Sequence, residues 1–361
     1  MIRQFLSRVR GHDRINDNRP PAAASNGRTI EPPSSLLLLA LTDPMAAHRK
    51  VEELARERFG PGAEIGKDVR VTYPLDRLLQ LPHDAIWGSS AAAMIRESTE
   101  ELVAASRELT HEEIFNPHYG PVDPAAYNLV AYFKCTRLRV LRLYEALQRR
   151  GIRSGTILEV GSLYGCFSFL LQRLGYDVTA IDRYDSYGAG FRPLVALMKS
   201  AGVEVVSTTR ENEDDILAAL GQYDCGITMA VVEHIPHTPR VFLEGLRRHV
   251  RSGGILAADT PNLARYWNRV RFQAGESTFM DIKSQYHTEI PFEGHHREYS
   301  AAEMHWIFQQ LACEEIVDET FDQNLIQFEA IDRPHIECLL RIIEDPSHAD
   351  MILTTGRVSC Q

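Results

Sequence analysis

The sequence predicts an α/β protein whose main domain is a doubly wound, mostly parallel sheet, preceded by an N-terminal α/β and helical extension. Three observations predict it. Short apolar runs alternate with helical patterns from residue 156 onward. Two glycines, Gly161 and Gly165, lie where the first of these strands passes into a helix, and the second strand ends in Asp182. Together they indicate a ligand crevice at the carboxyl ends of the strands.

The elements of this main domain follow one another in a regular order. Strands are expected at 156–160, 177–182, 203–208, 225–231 and 253–260. The helices between them are expected at 167–175, 191–201, 216–221 and 241–250. A later helix at 301–311 precedes two further strands near 314–320 and 324–331. This rhythm favours helices on both faces of one sheet.

The flanking segments divide the rest of the chain. Residues 1–34 combine prolines with small polar residues and are expected to be a disordered leader. Residues 35–90 predict a small α/β module, with strands at 35–43 and 63–71, a helix at 45–60 ended by Gly60, and further elements at 75–81 and 84–87. Residues 91–150 predict a helical lid or scaffold, 151–335 the main domain, and 336–361 a C-terminal helix and tail.

Composition narrows the classes of function. A formal net charge of −10 at pH 7 argues against a broad nucleic-acid surface, because phosphate binding needs a basic face. The six cysteines are isolated, without paired or metal-ligand spacing, which is typical of free thiols in the cytoplasm. No apolar run is long enough to span a membrane. A small-molecule partner in a cytoplasmic protein is the expectation, and the oligomeric state stays open.

The chemistry of the glycine loop separates two classes of cofactor. A dinucleotide pyrophosphate prefers the pattern G-x-G-x-x-G, whereas the loop here is G-S-L-Y-G and lacks the middle glycine. Glu159, two residues before Gly161, would repel a pyrophosphate but attract an ammonium or sulfonium group. Asp182 follows Glu159 by 23 residues and suits the two hydroxyls of a ribose. By charge, the pocket suits S-adenosylmethionine.

These motifs lead to a family resemblance. The segments ILEVGSLYGCFS, VTAIDRYD, YDCGITMAVVEHIPHTPRVFLEGLRRHVRSGGILAADTPN and EGHHREYSAAEMHWIFQQLACEE resemble, in order and spacing, the class I S-adenosylmethionine-dependent methyltransferases, in the branch of the ubiquinone-biosynthesis O-methyltransferases. The resemblance covers about residues 135–320 and implies a Rossmann-like sheet of seven strands.

The resemblance also implies roles for individual residues. Glu159, Gly161 and Gly165, with Ser162 beside them, would hold the methionine portion of the cofactor, and Asp182, next to Arg183, would hold the ribose. The adenine contact would come from Asn212 or Glu213, and Ala230 and Val231 would line the cleft near the sulfur. Some enzymes of this branch hold a divalent metal with a Glu-x-x-Glu-His group. Ala230 stands at the first acidic position here, so we expect no metal.

Candidate catalytic and substrate-binding residues come from two segments. His234 follows the fourth strand and could take a proton from a substrate hydroxyl, or it could only orient its loop. His295 is a second candidate base. Tyr286, His296 and Arg297 are candidates for acceptor binding in a polar loop, although a solvated hairpin explains them equally well.

The resulting hypothesis is an S-adenosylmethionine-dependent methyltransferase that acts on a small molecule, by O-methylation of a sugar or another secondary metabolite. Two alternatives stay open. One is an NAD(P)-dependent oxidoreductase, which the missing middle glycine disfavours. The other is a non-catalytic binding or scaffold protein with a degenerate cofactor pocket.

Overall fold

The computed structural model describes residues 28–73, 88–107, 129–187, 191–209, 212–279, 282–287, 294–323 and 333–359. The elements predicted at 75–81, 84–87 and 324–331 lie outside these residues, as do residues 1–27 of the predicted leader. Among the described residues, no helix combines the length and the apolar character needed to cross a membrane.

A seven-stranded sheet forms the centre of the protein and confirms the predicted fold class. Its strands are β3 (Thr156–Val160), β4 (Asp177–Asp182), β5 (Glu204–Ser207), β6 (Tyr223–Met229), β7 (Val250–Pro261), β8 (Cys313–Phe321) and β9 (Met351–Val358). Their spatial order is β5-β4-β3-β6-β7-β9-β8. Strands β3 to β7 pair in parallel, whereas β9 runs antiparallel to both of its neighbours.

The order of the strands places the crevice. The chain leaves β3 towards β4 on one side and later returns to β6 on the other side, so strand order reverses between β3 and β6. In an open parallel sheet, a ligand binds outside the carboxyl ends of the strands at such a reversal. The loop after β3 and the turn after β6 therefore flank the crevice, as the sequence predicted.

Helices cover both faces of this sheet. They are α5 (Cys166–Arg173), α6 (Arg192–Ser200), α7 (Glu213–Ala219), α8 (Arg240–Arg248) and α11 (Ala301–Gln310). The helices α9 (Tyr266–Gln273) and α10 (Ile282–His287) lie in the chain between β7 and α11. The predicted helical region before the sheet contains α3 (Ser90–Ser106) and α4 (Leu129–Arg149). The leucines of α4 are buried: Leu138, Leu141, Leu143 and Leu147. One apolar cluster joins α3, α4 and α5 to one face of the sheet.

The N-terminal region differs from the prediction in two respects. The run at 35–43, expected as a strand, is helix α1 (Ser34–Thr42), because it buries Leu36, Leu37, Ala40 and Leu41 on one helical face and contains no β-branched residue before its last position. Residues 28–30, assigned to the leader, form strand β1 (Arg28–Ile30), which pairs in parallel with β2 (Val69–Val71). The predicted helix at 45–60 is confirmed as α2 (Pro44–Phe59), with Gly60 at its C-cap.

The C-terminal region also differs from the predicted helix and tail. Helix α12 (Arg333–Glu344) contributes Leu339, Ile342 and Ile343 to the apolar cluster of α1, α2, β1 and β2. Residues 351–358 then form β9, which lies inside the main sheet between β7 and β8. Nearly every residue of β9 is buried, on both faces of the sheet, so the alternation of apolar and polar residues is lost and the sequence pattern did not reveal the strand.

Candidate active site

The glycine loop after β3 is shaped by contacts within the protein. Gly161 and Gly165 have φ angles of 84° and 70°, in the left-handed region that favours glycine. A Cβ at Gly161 would lie 2.5 Å from Val231 Cγ2, and one at Gly165 would lie 2.0 Å from Met198 Sδ. Packing within the protein therefore requires glycine at both positions, and the approach of a ligand to them stays a prediction. Side chains from the turn after β6 and from α6 fill the space, because the loop, α6 and that turn pack tightly together.

Glu159 lies on β3, between β4 and β6, and is buried, with 1% of its surface exposed. Its carboxylate accepts a short hydrogen bond from Ser168 Oγ at the start of α5. Burial raises the pKa of Glu159 to about 7, and the nearby Asp182 adds to this increase. A cation placed beside Glu159 would favour its ionised form.

Asp182 ends β4 and holds the same loop from the other side. Its two carboxylate oxygens accept hydrogen bonds from Leu163 N at 2.6 Å and from Arg183 N at 2.7 Å. Ser162 Oγ is hydrogen-bonded to Tyr184 Oη. Asp182 therefore fixes the backbone of the glycine loop.

A cluster of three titratable side chains lies at the carboxyl end of β6. Glu233 and His234 belong to a short 3-10 turn, Val232–His234, and His295 reaches them from the segment before α11. The potential ligand atoms of the three side chains all lie within 4.8 Å of one another. The two imidazole rings meet edge to face, with their centroids 4.8 Å apart. The fold thus brings together both predicted catalytic histidines and adds Glu233.

Glu233 is the buried member of this cluster, at 1% exposure. Burial raises its pKa to about 7, although His295 acts in the opposite direction. One oxygen, Oε2, accepts a hydrogen bond from Thr260 Oγ1 at 3.3 Å. The other oxygen, Oε1, has no hydrogen-bond partner among the described residues. A buried carboxylate oxygen without a donor is costly, so this atom points to a binding function.

Glu298 supports His295 and was not found from the sequence. It lies 3.3 Å from His295 Nδ1, and it accepts hydrogen bonds from Arg265 at 2.9 Å and from Asn268 at 3.0 Å. Burial acts to raise its pKa, but the bond with His295 and the charge of Arg265 outweigh burial and lower the pKa of Glu298 to about 2. An ionised Glu298 therefore orients the imidazole of His295. In the sequence, Glu298 stands three residues after His295, and this spacing is the signal that could have indicated the pair.

Arg139 is the second functional residue that sequence reasoning missed. It lies on α4 and is only 4% exposed. Its guanidinium makes two hydrogen bonds with Asp259, at 2.8 and 2.7 Å, and lies 5.0 Å from the centre of the Phe167 ring. Its charge also acts to lower the pKa of both Glu159 and Glu233. Arg139 is thus the buried cation between the two acidic parts of the crevice.

The predicted adenine-contact and cleft-lining residues lie after β5 and after β6. Asn212 is the N-cap residue of α7, where its Oδ1 accepts a hydrogen bond from Thr209 N at 2.6 Å. The side chain of Glu213 lies outside the described residues. Ala230 has a φ of 55°, and its N–H donates to the carbonyl of Asp259. Val231 lies against the glycine loop at Gly161.

The three residues predicted to bind the acceptor do not line one common surface. Tyr286 is 79% exposed on α10, and its ring lies against His287. Arg297 Nη2 donates a hydrogen bond of 2.5 Å to Glu303 Oε1, at the N-terminus of α11. The guanidinium of Arg297 is therefore paired outside the cluster. The backbone N–H of His296 donates to the carbonyl of Glu233 at 2.7 Å, which ties this segment to the turn after β6.

Comparison with known proteins identifies the family. A family profile described as a methyltransferase domain matches residues 133–315, which is half of the chain and includes α4, the glycine loop and the cluster. The chain belongs to this methyltransferase family. Together with the strand order and the motifs above, the match makes the protein a class I S-adenosylmethionine-dependent methyltransferase and confirms the family resemblance.

The similar proteins are methyltransferases as well. The methyltransferase is 29% identical to the ubiquinone biosynthesis O-methyltransferase of Escherichia coli O7:K1 over 170 residues, which are 46% of this chain and 67% of that enzyme. A solved S-adenosylmethionine-dependent methyltransferase from Thermotoga maritima, titled a possible histamine N-methyltransferase, is 14% identical with a TM-score of 0.41, over 69% of this chain and 99% of the other. For a Burkholderia thailandensis 1,6-didemethyltoxoflavin-N1-methyltransferase, the identity is 12%, the TM-score 0.36 and the coverage 61% and 78%. These last two likenesses add no argument to the family match.

The family establishes the cofactor as S-adenosylmethionine and the protein as a methyltransferase. It does not favour the alternative of an NAD(P)-dependent oxidoreductase or that of a scaffold protein.

Proposed function

We propose that the protein transfers the methyl group of S-adenosylmethionine to a hydroxyl oxygen of a small molecule, such as a sugar or another secondary metabolite. The observation that carries this proposal is the cluster of Glu233, His234 and His295 at the carboxyl end of β6. A hydroxyl must lose its proton to become a good nucleophile, whereas a neutral amine needs no such help. A group of two imidazoles and a carboxylate beside the cofactor loop supports an oxygen acceptor.

The cofactor side of the crevice fits a cationic nucleoside. Glu159 and Asp182 place two acidic side chains on either side of the glycine loop, and Glu159 is buried. We assign the methionine portion to Glu159, Gly161, Ser162 and Gly165, and the ribose to Asp182. Burial disfavours the charge of Glu159 in the free protein, and a bound ammonium or sulfonium would supply the counter-ion that favours the ionised carboxylate.

The acceptor side lies directly beside the cofactor side. Val231 touches the glycine loop, and Glu233 follows it by two residues in the same turn. Methyl transfer is an in-line displacement, so the acceptor oxygen has to lie on the far side of the methyl group from the sulfur. Holding both partners in this geometry can lower the barrier by several kcal/mol, about 7–11 kcal/mol in the best cases. We assign the approach and deprotonation of the hydroxyl to His234 and His295.

The assignment of the ribose can be tested directly. Replacing Asp182 with Asn keeps the shape of the side chain but removes its charge and one acceptor for the loop N–H groups. We expect the affinity for S-adenosylmethionine, measured by calorimetry, to fall at least about tenfold, a loss of about 1.4 kcal/mol. The matched control is Asp185→Asn, because Asp185 is exposed three residues further on. Equal affinity in the two variants would refute the assignment.

The acceptor can be identified with a labelled donor. Incubating the enzyme with methyl-labelled S-adenosylmethionine and an extract of its source organism should give a labelled small molecule in which the methyl group is bound to oxygen. His295→Gln should abolish this product while cofactor affinity stays unchanged. A label on nitrogen or carbon would refute the proposed chemistry without affecting the family assignment.

A further inference from the structure

The cluster at the carboxyl end of β6 has a donor set that hydroxyl deprotonation alone does not explain. Two of its members, Glu233 and His234, are neighbours in the chain, and His295 joins them from 61 residues further on. The three side chains offer two nitrogen atoms and one oxygen atom within 4.8 Å of one another. A general base requires one imidazole, whereas a metal ion requires several donors that converge on one point.

The oxygen donor fits a metal ion better than it fits the surrounding protein. Glu233 Oε1 is buried and has no hydrogen-bond partner among the described residues, while Oε2 makes one long bond with Thr260. A buried carboxylate oxygen without a donor loses its hydration and gains nothing in exchange. A cation bound at Oε1 would supply the missing partner.

We propose that Glu233, His234 and His295 bind a divalent first-row transition metal with the chemistry of zinc. Zinc takes nitrogen ligands at about 2.0–2.1 Å and carboxylate oxygen at about 2.0–2.2 Å, so tetrahedral ligand atoms lie about 3.3 Å apart. The three donors are thus within small side-chain rotations of that geometry. Two histidines and one glutamate leave a fourth position for a water molecule or a substrate oxygen.

The hydrogen-bond partners of His295 match those that orient a metal-ligating histidine. A histidine that ligates a metal donates its other ring N–H to a carboxylate, which fixes the tautomer of the ring. His295 has this partner in Glu298, at 3.3 Å from Nδ1, and Arg265 and Asn268 hold Glu298 in turn. With Nδ1–H directed at Glu298, Nε2 keeps the lone pair that a metal needs.

This inference departs from the expectation that the protein holds no metal. That expectation rested on Ala230, which occupies the first acidic position of the Glu-x-x-Glu-His group. The fold supplies a donor that the linear motif does not contain, because His295 occupies the space beside Glu233 and His234. Replacing an oxygen donor with nitrogen also changes the preferred ion, since magnesium favours oxygen ligands while imidazole suits zinc and its neighbours.

The role of this ion in the reaction rests on the proposed function. A divalent ion at the cluster would lower the pKa of a hydroxyl bound to it, which is what an oxygen acceptor requires. With the ion bound, His234 and His295 would act as its ligands in place of their role as bases, and the proton of the hydroxyl would pass to solvent. Glu233 would balance part of the charge of the ion.

Metal binding can be tested without any acceptor. The purified full-length protein is stripped with a chelator and titrated with ZnCl₂ by calorimetry, and the same sites are probed with Co²⁺ by visible absorption. We expect one equivalent of zinc and a Co²⁺ spectrum of a four- or five-coordinate site. Absence of stoichiometric binding, or an octahedral Co²⁺ spectrum like that of the free ion, would overturn the proposal.

Variants assign the ion to the cluster. Glu298→Gln should weaken zinc binding by about 10–100-fold, as is typical for loss of an outer partner. Glu233→Gln and His295→Ala should weaken it more. The control is His249→Ala, since His249 precedes the amino end of β7, whereas the cluster lies at the carboxyl end of β6. Equal zinc affinity in all four variants would refute the site.

The two proposals can fail separately. If zinc binds as expected but the labelled methyl group is found on nitrogen or carbon, the metal site stands and the O-methylation is wrong. If the protein methylates oxygen equally well after metal removal and takes up no zinc, the imidazoles act as bases and the metal proposal is wrong.

Discussion

The buried pair of Arg139 and Asp259 gives the sharpest test of how the crevice is held together. The side chains are 4% and 2% exposed and share two hydrogen bonds of 2.7 and 2.8 Å. Arg139→Met keeps an apolar chain of similar length against Phe167 but leaves the Asp259 carboxylate buried without its cation. Removing one partner of a buried ion pair costs about 3–5 kcal/mol of unfolding free energy. A loss of this size lowers the melting temperature of a domain of this class by about 6–20 °C.

The measurement is urea unfolding followed by circular dichroism, with a second variant to show that the loss comes from the unpaired charge. In Arg139→Met with Asp259→Leu, both charges are removed, and we expect most of the lost stability to return. The control is Arg149→Met on the same helix, where the pair with Glu319 is half exposed and contributes about 0–1 kcal/mol. If the double variant were as unstable as the sum of the two single variants, the pair would not be the cause.

Three further predictions concern the cofactor loop and the cluster. Since burial raises the pKa of Glu159 to about 7, the ionised fraction of its carboxyl rises with pH through that value. The affinity for S-adenosylmethionine, measured by calorimetry, should therefore increase from pH 6 to pH 8. Glu159→Gln should remove this pH dependence. The folding stability of the cofactor-free protein should change in the opposite direction with pH. The contribution of the neutral Glu159 carboxyl to that stability is present below about pH 4.5 and is lost as pH rises through about 7. Gly161→Ala should lose about 1–3 kcal/mol in urea unfolding, because its φ is 84° and its Cβ would meet Val231, and a second change, Val231→Ala, should restore the part due to the clash but not the part due to the backbone. Glu298→Gln should lower kcat at least about tenfold with little change in KM for the cofactor, since it only releases His295, and an unchanged kcat would refute its positioning role.

Local pattern was sufficient for the central sheet. Apolar runs that alternate with helical spacing predicted β3 to β7 and the helices between them, because a parallel strand buried on both faces is a continuous apolar run. Glu159 and Asp182 could be predicted for a similar reason, since each lies at a fixed position relative to a strand end. Their neighbours in space follow from the register of the strands.

The same patterns failed where distant parts of the chain decide the structure. The leucine run of α1 has no alternation of apolar and polar residues, so the pattern fits a strand or a helix. Its packing against α12 favours the helix. The strand β9 follows a helix at the end of the chain, and only its place between β7 and β8 makes it a strand. Packing against other elements outweighs propensity in such short segments.

The sequence by itself determined the class of fold, the cofactor and the two carboxylates beside the glycine loop, since each depends on residues within one strand–turn–helix unit. Only the tertiary structure decided that Arg139 is buried against Asp259, that Val231 fills the space at Gly161, and that His295 joins Glu233 and His234. The reason is physical: burial and the approach of side chains from different elements depend on how the elements pack, and a linear sequence does not record distances between residues that are far apart in the chain.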